Sequence, residues 1–278
     1  MDAIKISLND YTLSGGGFNG ESYTHKTDPT VLLKLYLPGK IRQPLDELLM
    51  SRKAFEMGIP TPEPGEYVVT EDGRYGIRFR RVRDKISYAR AVGNHPEDVA
   101  RYAEEFAVLC RQLHATHVNT DDFDCVKDRL AAQLAENPFF TKVEKDRLLR
   151  FIQDAPDVDT ALHGDLQFGN IIFAGDKRYF IDLGDFCYGY PLFDIGMVYS
   201  TAFLSSPEFV REAFHMEAAT AVRFWQAFAP VYFGTDRPLK DIEAEVRPFA
   251  GLKTIIIERD MNCPMPVFRE ALSSILRP

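Results

Sequence analysis

The segment His163-Gly164-Asp165-Leu166-Gln167-Phe168-Gly169-Asn170, followed by Asp182 on Ile181-Asp182-Leu183-Gly184-Asp185, constrains this chain more than any other. Asn170-Ile171-Ile172-Phe173 and Tyr179-Phe180-Ile181-Asp182 are short apolar runs rich in β-branched and aromatic residues. Ala174-Gly175-Asp176-Lys177 between them has turn chemistry. The pattern predicts a β-hairpin. A hairpin brings its ends together, so Asn170 and Asp182 come side by side, with Asp165 on the loop just before. Magnesium takes oxygen ligands in a nearly octahedral shell, with one or two protein groups and the rest from phosphate and water. An Asn amide oxygen and an Asp carboxylate meet that demand. Asp165 is left to accept a hydroxyl proton or fix its direction, the division of labour expected of phosphoryl transfer. The HxDxxxxN spacing alone recurs by chance; the hairpin and the second Asp in register make it specific.

Upstream, Ser14-Gly15-Gly16-Gly17-Phe18-Asn19-Gly20 contains a GxGxxG spacing at Gly15, Gly17 and Gly20. A dinucleotide-binding version would follow a strand and open a helix. Here Glu21–Thr27 and Val31–Tyr36, broken by Asp28-Pro29, read as two strands, which suits a flap whose backbone lies over phosphates. Lys34 sits in the second strand among Val31, Leu32, Leu33 and Leu35. A buried ammonium is costly unless paired. The next helix, read from Pro44 to about Met57 with Gly58 as its stop, offers Glu47 in its first turn as partner; Glu56 is the competitor.

Together these residues resemble the aminoglycoside phosphotransferase family, and Gly58-Ile59-Pro60-Thr61-Pro62 is similar to the ending of this helix in that family. The resemblance implies an α+β, bilobal protein-kinase-like fold, with a small β-rich N-terminal lobe and a larger, mostly helical C-terminal lobe. It implies an ATP-dependent (or GTP-dependent) phosphotransferase acting on a small-molecule hydroxyl. Lys34, Glu47 and the Gly15–Gly20 flap would hold the nucleotide, Asn170 and Asp182 would hold Mg2+, and Asp165 would orient the hydroxyl. His163 resembles the motif histidine and would orient the catalytic loop by hydrogen bonding. Gly164 stands where protein kinases carry Arg, and no long regulatory loop fits before Gly189-Tyr190-Pro191-Leu192-Phe193-Asp194. Those departures favour a small-molecule kinase. A protein kinase, a catalytically silent nucleotide sensor and a plain scaffold remain as alternatives. Asp194 reads as a structural residue, His114 and His117 as satisfied helix histidines, and Asp185 as no primary metal ligand.

Composition bounds other classes. With 278 residues and 45% hydrophobic content the chain can bury one large core or two smaller ones. No stretch approaches twenty apolar residues, and Met1–Asp10 lacks the basic start and apolar run of a signal peptide, so a cytoplasmic protein with no membrane partner is expected. Cys110, Cys125, Cys187 and Cys263 show no CxxC pairing, which argues against zinc. A division at residues 1–84 and 85–278 gives 12 Lys/Arg against 12 Asp/Glu, then 21 against 29, so the second part carries the whole net charge of −8. Nucleic acid is thereby disfavoured as a partner, because phosphate binding needs a basic face. A cationic acceptor (aminoglycoside-like, choline-like or an amino sugar) is weakly favoured. Tyr199, Phe203, Phe224, Trp225, Phe228, Tyr232 and Phe233 offer rings for its pocket, and Glu243, Glu245, Glu258 and Asp260 offer carboxylates, though core and surface roles are commoner for both sets. Strands at Glu66–Thr70 and Tyr75–Phe79 around the Asp72-Gly73 turn complete the first part. Arg80–Asp84 reads as the hinge. Helices are expected over Pro96–His117, 124–136, 141–154, 206–229, 238–259 and 265–276.

Overall fold

Alternation along the strand that carries Lys34 sets the architecture of the N-terminal region. The computed structural model describes every residue except 18, 19, 235 and 278, so Phe18 and Asn19 of the glycine flap lie outside the described residues. Strands β1 (Ile4–Ile6), β2 (Tyr11–Gly16), β3 (Gly20–His25) and β4 (Val31–Tyr36) are followed by α1 (Arg42–Glu56), then β5 (Pro64–Thr70) and β6 (Tyr75–Arg80). They form one six-stranded sheet in the order β1-β5-β6-β4-β3-β2, antiparallel except for the parallel β1–β5 edge. Successive side chains of a strand point to opposite faces. On one face of β4, Leu33 and Leu35 join Tyr11, Tyr23 and Val68 in a buried cluster. On the other face Tyr36 packs with Leu48, Tyr67 and Ile77. Lys34 shares the register of Tyr36, and both reach α1.

Helix α1 buries Pro44, Glu47, Leu48, Ser51 and Ala54, a stripe at helical spacing that contains a carboxylate. It starts two residues before the expected Pro44, which sits inside the first turn, where its missing N–H costs nothing. It ends in a Schellman motif: Gly58 at φ +81°, Gly58 N–H to Phe55 O at 3.0 Å and Ile59 N–H to Ala54 O at 3.0 Å.

A two-residue strand β7 (Ile86–Ser87) leads to the helical part: α2 (Tyr88–Asn94), α3 (Val99–His114), α4 (Val126–Glu136) and α5 (Lys142–Asp154). Thr141 and Glu144 cap α5 reciprocally. Then come β8 (Ala161–Leu162), the hairpin β9 (Ile171–Ala174) and β10 (Lys177–Phe180), β11 (Cys187–Tyr188) and α6 (Leu192–Phe203). The C-terminal helices are α7 (Pro207–Phe214), α8 (Ala218–Phe233), α9 (Leu239–Gly251), α10 (Thr254–Met261), α11 (Pro266–Ala271) and α12 (Ser273–Leu276). Three long helices of the sequence reading are therefore each two. His215 at φ +57° separates α7 from α8, and a turn at Leu252-Lys253 separates α9 from α10. Apolar periodicity runs across such breaks because each half buries a face of its own: α9 packs on α6 and α8, α10 on α4.

The chain forms two compact units: Met1–Ile86 with Asn170–Phe186, and Ser87–Gly169 with Cys187–Pro278. The first boundary lies near residue 84, but the β9–β10 hairpin, which the division at 84/85 puts in the C-terminal part, groups with the first unit. The reason is local. Asp182 is ion-paired to Lys34, and Phe180 N–H bonds to Pro60 O at 2.8 Å. No helix among the described residues is long and apolar enough to cross a membrane.

Candidate active site

In the first unit, Lys34 Nζ donates to both oxygens of Glu47, at 2.8 and 2.7 Å, and to Asp182 Oδ1 at 2.8 Å. Tyr36 Oη donates to Glu47 Oε2. Glu47 is almost wholly buried, whereas Glu56, its competitor, is exposed on α1. One ammonium thus faces two carboxylates, a local surplus of one negative charge. Burial alone would lower the Lys34 pKa, but Glu47 and Asp182 outweigh it and raise it. The deficit falls on Glu47. Burial, with Asp182 adding and Lys34 opposing, pushes its carboxyl up to about 7.

Asp182 follows the hairpin directly, and its backbone is left-handed, φ 63° and ψ 53°. Such strain in a residue with a Cβ marks a position held by its surroundings, often for function. The 3-10 turn Leu183–Asp185 comes next, and a Cβ at Gly184 would lie 3.5 Å from Glu47 Cβ, so this turn packs on α1. At the open end of the hairpin, Ile181 N–H bonds to Asn170 O at 2.9 Å, which brings the Asn170 and Asp182 positions together. Asn170 is 5% exposed and the Asp182 side chain 40%. An amide oxygen and a carboxylate oxygen are hard donors of the kind Mg2+ accepts, and Asp182 is the more exposed of the two side chains.

The flap glycines divide into two kinds. Gly15 and Gly17 would meet nothing within 4 Å if given a Cβ. At Gly20 a Cβ would stand 2.1 Å from Leu35 O, so the third glycine of the GxGxxG spacing is required by the β3–β4 pairing itself. Gly17 N–H closes the turn onto Gly20 O at 2.8 Å.

The second unit holds the loop with His163 and Asp165. Asp194, 1% exposed at the start of α6, accepts His163 N–H at 2.7 Å on Oδ2 and Gly164 N–H at 2.9 Å on Oδ1. Gly164 adopts φ +81°, so a side chain there would strain the turn that presents both N–H groups. Burial would raise the Asp194 pKa, but the hydrogen bond from His114 and the electrostatic attraction of the His114 and His163 N–H groups reverse this and lower it. His114 Nε2 lies 3.2 Å from Asp194 Oδ2, and its Nδ1 lies 2.7 Å from Tyr232 Oη. An ionised carboxylate only accepts, so Nε2 carries the hydrogen; in the neutral ring Nδ1 then accepts from the Tyr232 hydroxyl. Asp165 N–H donates to His163 Nδ1 at 3.3 Å, which gives His163 the geometry of an orienting residue. Phe168 plugs the loop into the core, 4.4 Å from Phe224 and 5.7 Å from Phe106 between ring centroids.

The rings offered for an acceptor pocket are mostly that core: Phe224, Trp225 and Phe228 are fully buried, and Tyr232 is engaged by His114. Sequence reasoning missed Lys253, whose Nζ lies 3.4 Å from Asp165 Oδ1. It also missed the tie from α8 through His114 to the loop. Neither has a local signal, since the partners lie 88 and 80 residues apart.

A family model described as a phosphotransferase enzyme family matches residues 10–230. No curated protein sequence matches the chain significantly. A solved thermostable mutant of aminoglycoside phosphotransferase APH(4)-Ia, in ternary complex with ADP and hygromycin B, is 13% identical; the match covers 96% of this chain and 93% of that one, with a TM-score of 0.63. Amicoumacin kinase hAmiN, in complex with AMP-PNP, Ca2+ and Ami, is 16% identical over 99% and 89%, TM-score 0.56. A choline/ethanolamine kinase family protein from Mesorhizobium loti is 16% identical over 95% and 85%, TM-score 0.54. At these identities the likeness is one of fold: α+β and kinase-like, with a mixed sheet in the N-terminal region and helices after it. With a match over residues 10–230 of 278, the chain belongs to the phosphotransferase enzyme family.

Proposed function

We propose that this protein transfers the terminal phosphoryl group of a purine nucleoside triphosphate, ATP or GTP, to a hydroxyl of a small molecule. The observation that carries the reading is the Lys34–Glu47–Asp182 ion cluster at the open end of the Asn170–Asp182 hairpin. It fixes an ammonium for the nucleotide phosphates and leaves two oxygen donors for a divalent ion. Solved structures of like fold hold ADP or AMP-PNP, in keeping with it. Lys34, positioned by Glu47, grips the phosphates under the Gly15–Gly20 flap. Asn170 and Asp182 would hold Mg2+, which when bound supplies neutralisation of phosphate charge. Asp165, positioned by His163 and the backbone tied to Asp194, directs the acceptor hydroxyl and takes its proton. The hydroxyl oxygen bonds to the γ-phosphorus while the bond to the bridging oxygen breaks, giving a phosphate ester and a nucleoside diphosphate. Positioning and charge neutralisation supply most of the rate.

The test combines a coupled nucleotide-turnover screen over small hydroxyl compounds with Asp165→Asn. Turnover should fall about a thousandfold or more while nucleotide affinity stays within a few-fold. Near-normal turnover by Asp165→Asn would remove the assignment.

A further inference from the structure

Lys253 occupies the turn between α9 and α10, with its side chain 17% exposed and its ammonium against Asp165 Oδ1 at 3.4 Å. That contact is loose. A well-formed ammonium–carboxylate hydrogen bond is about 2.7–2.9 Å, the length Lys34 achieves with Asp182. Among the described residues Asp165 is the one ionic partner of Lys253, and an ammonium has three donors. The group beside the proposed hydroxyl-directing carboxylate is therefore a held cation with donors to spare.

The four carboxylates that the sequence offers to a cationic acceptor each have a partner of their own. Glu243 accepts from Trp225 Nε1 at 3.1 Å, and Glu245 pairs with Arg237. Glu258, wholly buried, takes Arg269 on both oxygens at 2.6 and 2.8 Å, and Asp260 pairs with Arg259 at 2.7 Å. Phe224, Trp225 and Phe228 are buried, so none of them is open to a quaternary amine. A polycation would approach Asp165 against an ammonium already there.

We infer that the acceptor is a hydroxyl compound bearing an oxyanion, a carboxylate or a phosphate, close to the reacting hydroxyl. Lys253 binds that oxyanion while Asp165 directs the hydroxyl. This rests on the reading of Asp165 given above and names its substrate class.

The experiment uses the full chain, with nucleotide binding measured first by calorimetry with AMP-PNP and Mg2+. Gluconate and glycerol 3-phosphate are then titrated as anionic probes, kanamycin and choline as cationic ones, and each is assayed for phosphorylation. The anions should bind the wild type, and one or both should be phosphorylated. Lys253→Met should weaken their binding tenfold or more, Lys253→Arg should restore most of it, and AMP-PNP affinity should be the same in all three. Phosphorylation confined to the cationic probes overturns the proposal, as does equal anion binding by wild type and Lys253→Met, or no anion binding to the wild type. Loss of AMP-PNP binding by the wild type would instead strike the nucleotide-site reading, which the other outcomes leave standing.

Discussion

Glu47 and Asp194 are buried carboxylates whose affinities for protons move in opposite directions. For Glu47 the folded value, about 7, lies above the ordinary 4.5, so the fold favours the protonated group. Its contribution is complete below 4.5 and disappears as pH climbs through 7. Differential scanning calorimetry without nucleotide should show Glu47→Gln gaining on the wild type between about pH 5 and about pH 8, as the wild type alone loses this contribution. For Asp194 the folded value is below the ordinary 3.8, so its contribution is present above that pH and is lost on further acidification. Asp194→Asn leaves a buried N–H or the His114 Nε2–H without an acceptor, a loss of about 3 kcal/mol. Chemical denaturation should read it, together with a fall in kcat as the loop loosens. The approach of Asn170 to Asp182, and of Asp165 to His163, was readable in the sequence because it follows from local spacing on one hairpin and one loop. Lys253, and the His114 contact to Asp194, were invisible because only the tertiary fold brings them to the loop.

At the level of elements, the apolar run around Lys34 and the Pro44 and Gly58 signals made β4 and α1 readable, with errors of a residue or two at their ends. Glycine patterns were less transparent, because one spacing serves two purposes. Gly20→Ala should destabilise by about 1–3 kcal/mol or more, since its Cβ would collide with the Leu35 carbonyl, whereas Gly15→Ala has open space and should leave the melting temperature nearly unaltered. Parallel thermal melts of the two variants check this. The reading of 206–229 and 238–259 as single helices failed for a physical reason. Hydrophobic period reports the face turned to the core, not the turns at His215 and Leu252-Lys253 that interrupt the backbone.

For the molecule as a whole, the sequence separated a sheet-rich part from a helical one but not the true membership of the hairpin. Composition shifts locate a boundary along the chain; they do not reveal a later segment that returns across it. Residues 1–84 expressed alone would carry Lys34 and Glu47 without Asp182 or Asn170. Calorimetry should find no measurable nucleotide binding by that fragment, in contrast to the full chain.

That excursion of Asn170–Phe186 also sets an order of events at the ribosome. When Ile86 has emerged, the sheet can form, but its ammonium meets only Glu47 until Asp182 arrives. At roughly 5–20 residues per second the interval is about 5–20 seconds. Throughout it the completed sheet carries a half-made ion cluster, while the first helices of the second unit are already being made.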